Sequence, residues 1–584
     1  MNIDILKILE FIGGLSLFLF GMDAMGKALE RRAGSKLRGI LGKLTTNRFA
    51  GLLTGMGVTA VIQSSSATTV MVVGFVNSGI MSLKQAINVI MGANIGTTIT
   101  AWILSLSGID GGNLFMKLLK PTSFSPILAF IGIIYLMFCK SSKKHDTGTI
   151  LLGFATLMFG MDTMAGAVKC LEDVPAFQEM FIMFENPILG MLAGAVLTGI
   201  IQSSSASVGI LQTLASTGKV SYGAAIPIIM GQNIGTCITA LISSIGANKN
   251  AKRAAAVHLS FNVIGTVVWL TVFSIVSAVV DPVLFGNSAT EFGVAVAHSI
   301  FNIACVVLLF PAAGLLEKFV MKIVSDSDTP EVVAELDERL LATPPIALER
   351  CRTYANEMAD CAVGCLKDSI RAIKEYSPKL AETIRENEEK TDHYEDVLGS
   401  YLVQLSTMQI SEEDSREAAM ILKAINDFER ISDHSVNILE SIEEIREKEL
   451  ELTSSAVEQL DVLTAAIDEI LDLSLQAYKD YDLDIACKIE PLEQVIDEMK
   501  EKMRSQHIYR LQKGSCSIEA GFVWSDLLTN FERTSDHCSN IAGELIDRAH
   551  DTMNIHESIR KMKATDGQFK DLYEGYVEKY GSFI

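Results

Sequence analysis

The sequence predicts an all-α protein in two parts. Residues 1–324 read as a polytopic membrane domain of two inverted repeats with re-entrant or broken helices. Residues 346–584 read as a cytoplasmic pair of three-helix bundles, joined through a linker at 325–345. Three observations carry this: charge and hydropathy divide the chain, one set of motifs recurs in the first part at a single offset, and another set recurs in the second.

The chain has 584 residues, with 49 Lys and Arg against 70 Asp and Glu, yet 49% of it is hydrophobic and its mean hydropathy is +0.31. Acidic soluble chains do not average so apolar, so the mean conceals two unlike parts. Residues 1–324 hold 21 basic against 14 acidic residues, a net of +7; the remainder holds 28 against 56, a net of −28. No long basic stripe exists and the acidic part repels phosphodiesters, so no nucleic-acid partner is expected. The ten cysteines match no zinc or redox spacing. Cys361 and Cys365, one helical turn apart, read as reduced packing residues. Met1–Glu10 carries Asp4 and Glu10 where a leader would be basic, and neither end carries a lipidation motif. The apolar segments themselves are therefore expected to anchor the chain in lipid.

A helix needs about 20 apolar residues to cross the hydrocarbon. Candidate crossings lie near 5–25, 84–107, 124–139, 148–168, 222–247, 254–280 and 291–316. Two glycine-rich stretches, near 50–78 and 188–217, are interrupted by Gln-Ser-Ser-Ser. Such runs suit broken or re-entrant segments that line a cavity.

Internal repetition is the strongest signal. Phe20-Gly21-Met22-Asp23 recurs as Phe159-Gly160-Met161-Asp162, and Gln63-Ser64-Ser65-Ser66-Ala67 as Gln202-Ser203-Ser204-Ser205-Ala206. Met91-Gly92 with Asn94-Ile95-Gly96-Thr97 recurs as Met230-Gly231 with Asn233-Ile234-Gly235-Thr236. Every pair is offset by 139, which sets a first repeat over about 5–140, a second over about 148–247, and extra helices over 254–316. Charge then orients the chain. The 26–50 loop has seven basic residues against Glu30, and Lys140, Lys143 and Lys144 with Lys249, Lys252 and Arg253 mark two more inside loops. Glu172, Asp173, Glu179 and Glu185 place the 169–187 loop outside. With both Gln-Ser-Ser-Ser segments re-entrant, seven crossings satisfy every assignment and leave the acidic domain cytoplasmic. Three crossings separate the repeats, which inverts the second copy, as in secondary transporters.

Gln-Ser-Ser-Ser offers four polar side chains beside unwound backbone. Hydroxyl and carbonyl oxygens are hard ligands for Na⁺, while hydroxyl and amide donors suit an oxyanion. A broken helix also aims its N-terminal amides at an anion. Asn94, Thr97 and Thr98, with Asn233, Thr236 and Thr239, add oxygens from the following helix, and Thr68 joins the first cluster. Small hydroxyl residues can instead serve close helix packing, but a duplicated cluster with a duplicated partner motif favours a site. A hydrolase using Ser64–Ser66 with His258 or His298 is disfavoured: no nucleophile elbow surrounds either run, and a nucleophile is needed once. Asp23 and Asp162 fall near the expected ends of their helices, where capping is as good an account, and stay outside the candidate site.

In the acidic half, Ser325–Pro330 and Pro344-Pro345 mark the linker. Leu422, Ile425, Phe428, Ile431 and Ile438 then recur at helical spacing, as in antiparallel bundles. Phe428-Glu429-Arg430, Ser432-Asp433-His434 and Asn437 recur as Phe531-Glu532-Arg533, Ser535-Asp536-His537 and Asn540, offset by 103. Glu429, Asp433 and Asn437, like Glu532, Asp536 and Asn540, share one helix face. Glu388/Asp392 and Glu493/Asp497 are i, i+4 pairs on the helix upstream in each copy. Two such helices side by side build a carboxylate metal site; a solvated acidic face is the alternative.

These motifs resemble two known families. The paired Gln-Ser-Ser-Ser-Ala and Gly-x-Asn-Ile-Gly-Thr signatures of roughly 1–320 resemble the type II sodium/phosphate cotransporters. That resemblance implies symport of inorganic phosphate with Na⁺ as coupling ion, at Gln63–Ser66 and Gln202–Ser205. The first copy continues Ala-Thr-Thr and the second Ala-Ser-Val, so the halves are not equivalent. Residues 346–560 resemble PhoU, the phosphate-signalling regulator, through Glu-Arg-x-x-Asp-His-x-x-Asn. This implies iron, manganese or another divalent metal and a regulatory role without catalysis. Expected partners are phosphate and membrane lipid, with a homodimer and a cytoplasmic signalling protein as further candidates. The expectation is a multi-pass inner-membrane symporter; the alternatives are a phosphate sensor with little flux and a Na⁺ symporter of another oxyanion.

Overall fold

The computed structural model describes residues 5–43, 47–77, 81–106, 121–169, 183–280, 283–325, 336–408, 410–550 and 567–581. Most of the expected outside loop near 169–187, and residues 326–335 of the expected linker, lie outside these. The chain divides into two compact units, Met1–Ile346 and Ala347–Ile584. Helices account for the regular structure among the described residues, with one isolated bridge between Ser221 and Ser288.

The first unit runs α1 (Ile5–Lys43), α2 (Arg48–Ile62), α3 (Ser65–Asn77), α4 (Leu83–Gly96), α5 (Thr98–Ser105), α6 (Pro121–Phe138) and α7 (Ser142–Lys169). It continues with α8 (Pro187–Ile201), α9 (Ser204–Ala215), α10 (Tyr222–Gly235), α11 (Cys237–Ser243), α12 (Lys249–Val279), α13 (Glu291–Leu309) and α14 (Ala313–Ile323). The 139-residue offset extends to helix boundaries: α8 begins at 187 against 48 for α2 and ends at 201 against 62. The helices α4 and α10 match in the same way, at 83 to 96 and 222 to 235.

Close backbone approach explains the repeated glycines. A Cβ on Gly55 would lie 1.9 Å from the Val89 carbonyl oxygen, and one on Gly194 would lie 2.1 Å from that of Ile228. Both pairs of helices therefore pack at a distance only glycine permits. The Phe-Gly-Met-Asp motifs do the same between α1 and α7. Gly14 meets Gly160 and Met164, while Gly21 meets Gly153 and Leu157, so these two equivalent helices cross antiparallel. The Arg31–Asp146 ion pair, at 2.8 Å, closes one end of that crossing. Ile5, Phe20, Phe159, Ile200, Val279 and Val307 leave their apolar side chains on the outer faces, as a lipid solvent requires.

Among the described residues, six stretches are long and apolar enough to cross a membrane: Ile5–Arg32, Leu83–Ser105, Ser142–Lys169, Tyr222–Ser243, Lys249–Val279 and Glu291–Leu309. Five expected segments differ in their bounds. The crossing expected at 124–139 is a shorter apolar helix. The expected 26–50 loop is helical as far as Lys43, because its basic residues are good helix formers. The 291–316 crossing stops at Leu309 ahead of Pro311, which cannot donate into the helix. The crossings expected at 84–107 and 222–247 break at Thr97 and Thr236, the last residues of each Asn-Ile-Gly-Thr. Their hydroxyls bond back to Ala93 O at 3.2 Å and Gln232 O at 3.0 Å, a contact that bends helices.

The second unit contains α15 (Pro344–Lys374), α16 (Pro378–Ser406), α17 (Glu412–Glu447), α18 (Ser454–Asp480), α19 (Ile489–Gln512), α20 (Ile518–His550) and α21 (Gly567–Tyr580). Tyr354 packs edge-on against Tyr394, and the Cys365 thiol meets Ser435 Oγ at 2.9 Å, binding α15, α16 and α17 into one bundle. Cys361 and Cys365 are free thiols in this packing. Helices α18, α19 and α20 build the second bundle, and α17 packs along α20 to join the two. Across that junction His434 Nδ1 lies 2.9 Å from Asn530 Oδ1 and His537 Nδ1 lies 2.8 Å from Asp427 Oδ1. Both pairs obey the 103-residue offset, so a local two-fold axis passes between the histidines.

Candidate functional site

Each Gln-Ser-Ser-Ser forms a hairpin turn between two short helices. The helix α2 ends at Ile62, Gln63 takes left-handed dihedrals of φ 62° and ψ 21°, and its N–H donates to Thr59 O at 2.8 Å. Gln202 repeats this at φ 58° and ψ 22°, donating to Thr198 O at 2.7 Å. A left-handed non-glycine residue costs on the order of 1–3 kcal/mol, so two equivalent ones mark a geometry the surrounding packing imposes. Ser64 Oγ and Ser203 Oγ then accept from Ala67 N–H at 3.1 Å and Ala206 N–H at 3.2 Å, capping α3 and α9. Thr59 Oγ1 donates to Thr68 Oγ1 at 3.0 Å. Nine residues of continuous helix would separate these threonines by about 13 Å, so α2 and α3 fold back on one another.

The two turns meet. Ser64, Ser65 and Ser66 line one cavity of about 310 Å³ together with Ser203, Ser204 and Ser205, and Gln63, Ile62 and Ala67 complete that wall. The amino ends of α3 and α9 thus open on a common space with two sets of hydroxyls. Amide donors and helix-end partial charge there suit an anion, while serine and backbone oxygens suit a hard cation.

The remaining expected residues sit elsewhere. Asn94 and Asn233 are buried and donate to Ile90 O and Ile229 O of their own helices, both at 2.9 Å. Neither lines the cavity. Thr68 is held inside its hairpin, with its hydroxyl also on Ser64 O at 3.0 Å. Gln63 is buried and accepts from Thr100 at 2.8 Å, whereas Gln202 is exposed and not part of the cavity wall. Thr239, the equivalent of Thr100, has a buried hydroxyl with no partner among the described residues. His258 and His298 are buried away from the cavity lining.

Sequence reasoning missed Asp23, Lys27 and Glu30, which line the same cavity from α1. Asp23 Oδ2 and Lys27 Nζ pair at 2.9 Å. The signal was present: an acid within a crossing four residues before a lysine is a charged pair that lipid does not tolerate. Asp162 instead borders a separate cavity of about 540 Å³ with Leu17, Ser125 and Phe159.

In the second unit, carboxylate oxygens of Glu388, Asp392 and Asp433 converge to within 4.8 Å of one another. Burial, followed by the neighbouring Asp433, pushes Glu429 up to about 7. Burial and adjacent carboxylates also raise Glu388 and Asp392. Crowded, partly desolvated carboxylates of this kind fit a divalent cation, which would reverse the penalty. Arg430 already holds Asp433 Oδ2 at 3.0 Å from outside. The second copy differs. Lys500 Nζ lies 2.9 Å from Glu532 and 3.7 Å from Asp497, so a side-chain ammonium sits among these acids. Glu493 touches Asp536 there, and burial raises Asp536. Asn437 is exposed, and Asn540 donates to Asp427 at 3.2 Å across the bundle junction.

The chain matches the Na⁺/Pi-cotransporter family over residues 17–166 and 176–299 and the PhoU domain over 355–442 and 461–545. It is 24% identical over 553 residues to the Salmonella typhimurium protein named "Putative inorganic phosphate export protein YjbB", covering 93% of this chain and 98% of that one. It is 30% identical over 156 residues to the Rattus norvegicus "Sodium-dependent phosphate transport protein 2A", 26% of this chain and 24% of that one. PhoU from Pseudomonas aeruginosa, a solved structure, is 20% identical with a TM-score of 0.33, covering 35% of this chain and 98% of that one. These relatives are named for phosphate transport, not for catalysis.

Proposed function

We propose, since the chain belongs to the Na⁺/Pi-cotransporter family and carries a C-terminal PhoU domain, that it is a symporter carrying inorganic phosphate with Na⁺ across the inner membrane by alternating access. One observation supports this above the others: serines from both Gln-Ser-Ser-Ser turns line a single cavity. Phosphate would take hydroxyl and amide donors from the amino ends of α3 and α9, and Na⁺ would take serine and carbonyl oxygens nearby, offsetting the anion's charge.

Antiparallel packing of α1 on α7 supports reading the two halves as an inverted repeat, whose rocking about the cavity would alternate access. Basic residues near the end of α1 and the start of α7 favour a cytoplasmic location for that side, and hence for the second unit. The cavity lies beside the carboxyl-terminal half of α1, so on this reading it faces inward. In the PhoU domain, Glu388, Asp392, Asp433 and Glu429 would hold a divalent cation and supply a regulatory input.

The test is radiolabelled phosphate uptake into proteoliposomes under an inward Na⁺ gradient against a K⁺ control. Sodium-dependent accumulation supports the proposal, and equal flux in both cations removes the coupling. A second reading, net export, is favoured by the named export relative that matches nearly the whole chain. Efflux from phosphate-loaded vesicles into Na⁺-free medium distinguishes it.

A further inference from the structure

The 3₁₀ turn Glu338–Ala342, with Asp337 before it, touches two parts of the first unit at once. On one side Asn77, at the carboxyl end of α3, donates to Asp337 Oδ2 at 2.7 Å, and the fully buried Leu340 packs beside Gly74. On the other side the Arg339 guanidinium donates to the backbone carbonyls of Ser243 and Ile245, at the end of α11. Asn77 also holds Asn248, whose side-chain amide donates to the Asn77 carbonyl at 2.8 Å. By the 139-residue offset α3 belongs to the first repeat and α11 to the second, so the turn bridges the two. The positions equivalent to Gly74 and Asn77 are Thr213 and Ser216. Their hydroxyls bond the carbonyls of Gly209 and Thr213 in their own helix.

We propose that this turn is a releasable clamp: seated, it ties α3 to the second repeat and slows alternation, and withdrawn, it frees both. The inference rests on the transport reading above. The helix α3 carries Ser65 and Ser66 of the cavity at its amino end, so a hold on Asn77 restrains the element that carries the site. Any movement that parts the repeats at this end must first break these bonds. The charges of the turn are satisfied within it. Arg339 Nη1 lies 2.9 Å from Asp337 Oδ2, and the Arg339 N–H donates to Asp337 Oδ1 at 2.8 Å. On withdrawal the two leave as a pair, and behind them stay amides, carbonyls and a glycine that water can satisfy. Neither side strands a buried charge, so release escapes the penalty that breaking a buried ion pair carries. A single leucine is also a small apolar hold. Ala342 lies two residues before α15, so chain continuity lets the second unit act on the clamp.

The experiment is Na⁺-driven ³²P-phosphate uptake by the full-length protein in proteoliposomes, with the clamp locked or loosened. A Cβ on Gly74 would lie 3.6 Å from Arg339 Cβ, inside the roughly 3.5–4.5 Å span of a disulfide. Oxidised Gly74→Cys/Arg339→Cys should therefore take up phosphate about tenfold more slowly than the same sample after reduction. The unaltered protein, oxidised and reduced in parallel, should keep one rate. Asp337→Asn/Arg339→Gln, uncharged at both positions, loosens the clamp and should speed uptake about threefold or more. If size exclusion shows that variant misfolded, Leu340→Ala replaces it with the same expectation. Failure of the disulfide to form, or equal uptake with and without it, overturns the clamp and leaves the transport reading intact. So does uptake by the folded loosened variant no faster than that of the unaltered protein. Absence of phosphate flux in the unaltered protein overturns the transport reading as well.

Discussion

Asn77 Nδ2 donates to Asp337 Oδ2 at 2.7 Å, joining residues 260 apart in the chain. The bond anchors the last turn of α3, whose first residue is Ser65 of the cavity. Asn77 also accepts from Asn248 N–H at 2.7 Å, and Arg339 bonds Asp337 at 2.9 Å and Ile245 O at 3.1 Å. Leu340 closes the contact against Gly74, where an added Cβ would come within 2.9 Å of its methyl. A short 3₁₀ turn just before α15 is thus fixed to the far end of the first hairpin.

Removing that anchor should be costly. Asn77→Ala takes one donor from the buried Asp337 carboxylate, which keeps Arg339, and leaves the Asn248 N–H without its acceptor, which predicts a loss of about 1–3 kcal/mol. Thermal unfolding in detergent checks this: a clear drop in Tm is expected, and an unchanged Tm would show the contact contributes nothing.

The two glutamines of the hairpin turns should respond unequally. Thr100→Val leaves Gln63 Oε1 buried without its donor and should lower Tm, again by about 1–3 kcal/mol of stability. Thr239→Val removes a buried hydroxyl that has no partner among the described residues, and should leave Tm unchanged or raise it. Equal losses in both would contradict the asymmetry between the turns.

Metal content should be one centre per chain. Glu388→Gln should abolish Mn²⁺ binding, while Glu493→Gln should leave it intact because the Lys500 ammonium already occupies that cluster. Glu388, Asp392 and Glu395 of the first copy match Glu493, Asp497 and Lys500 at an offset of 105, so Lys500→Glu restores an acid at that position and should create a second site. Metal analysis after equilibrium dialysis decides this; two centres in the unaltered protein would be the contrary result.

Acidity should weaken that metal. The Glu429 pKa is raised from 4.5 to about 7, chiefly by burial. In metal-free protein its contribution to stability is complete below the unfolded value and is lost as pH rises through about 7. A cation needs the ionised form, so Mn²⁺ affinity should fall as pH drops from about 8 to about 6. Affinity constant across that window would take Glu429 out of the site.

Much of this was legible in the sequence because polar motifs in apolar segments stand out. Gln-Ser-Ser-Ser at 63 and 202 marked both hairpin turns, and the shared offset paired the helices before any coordinates did. Other features were hidden by context. Asp23 and Lys27 read as a helix end, since the run of basic residues after Lys27 suggested a loop; the helix in fact continues to Lys43. Asp337 and Arg339 fall within the expected 325–345 linker, yet Asp337 is buried and bonded to a partner 260 residues away. Periodicity showed that both PhoU repeats gather carboxylates, but the identity of the cation between them depends on where the Lys500 side chain points. Asn94 and Asn233 were grouped with the serines because both motifs recur at the same offset, whereas their amides bond within their own helices.

The central claim is that the two Gln-Ser-Ser-Ser turns build one phosphate site, not two. Phosphate stoichiometry in nanodiscs containing Na⁺, measured for the unaltered protein, Ser65→Ala, Ser204→Ala and the double variant, tests it most directly. One phosphate per chain, weakened about tenfold or more by either substitution, is the predicted result. Two phosphates per chain, with each single variant losing one and keeping the other at full affinity, would contradict it.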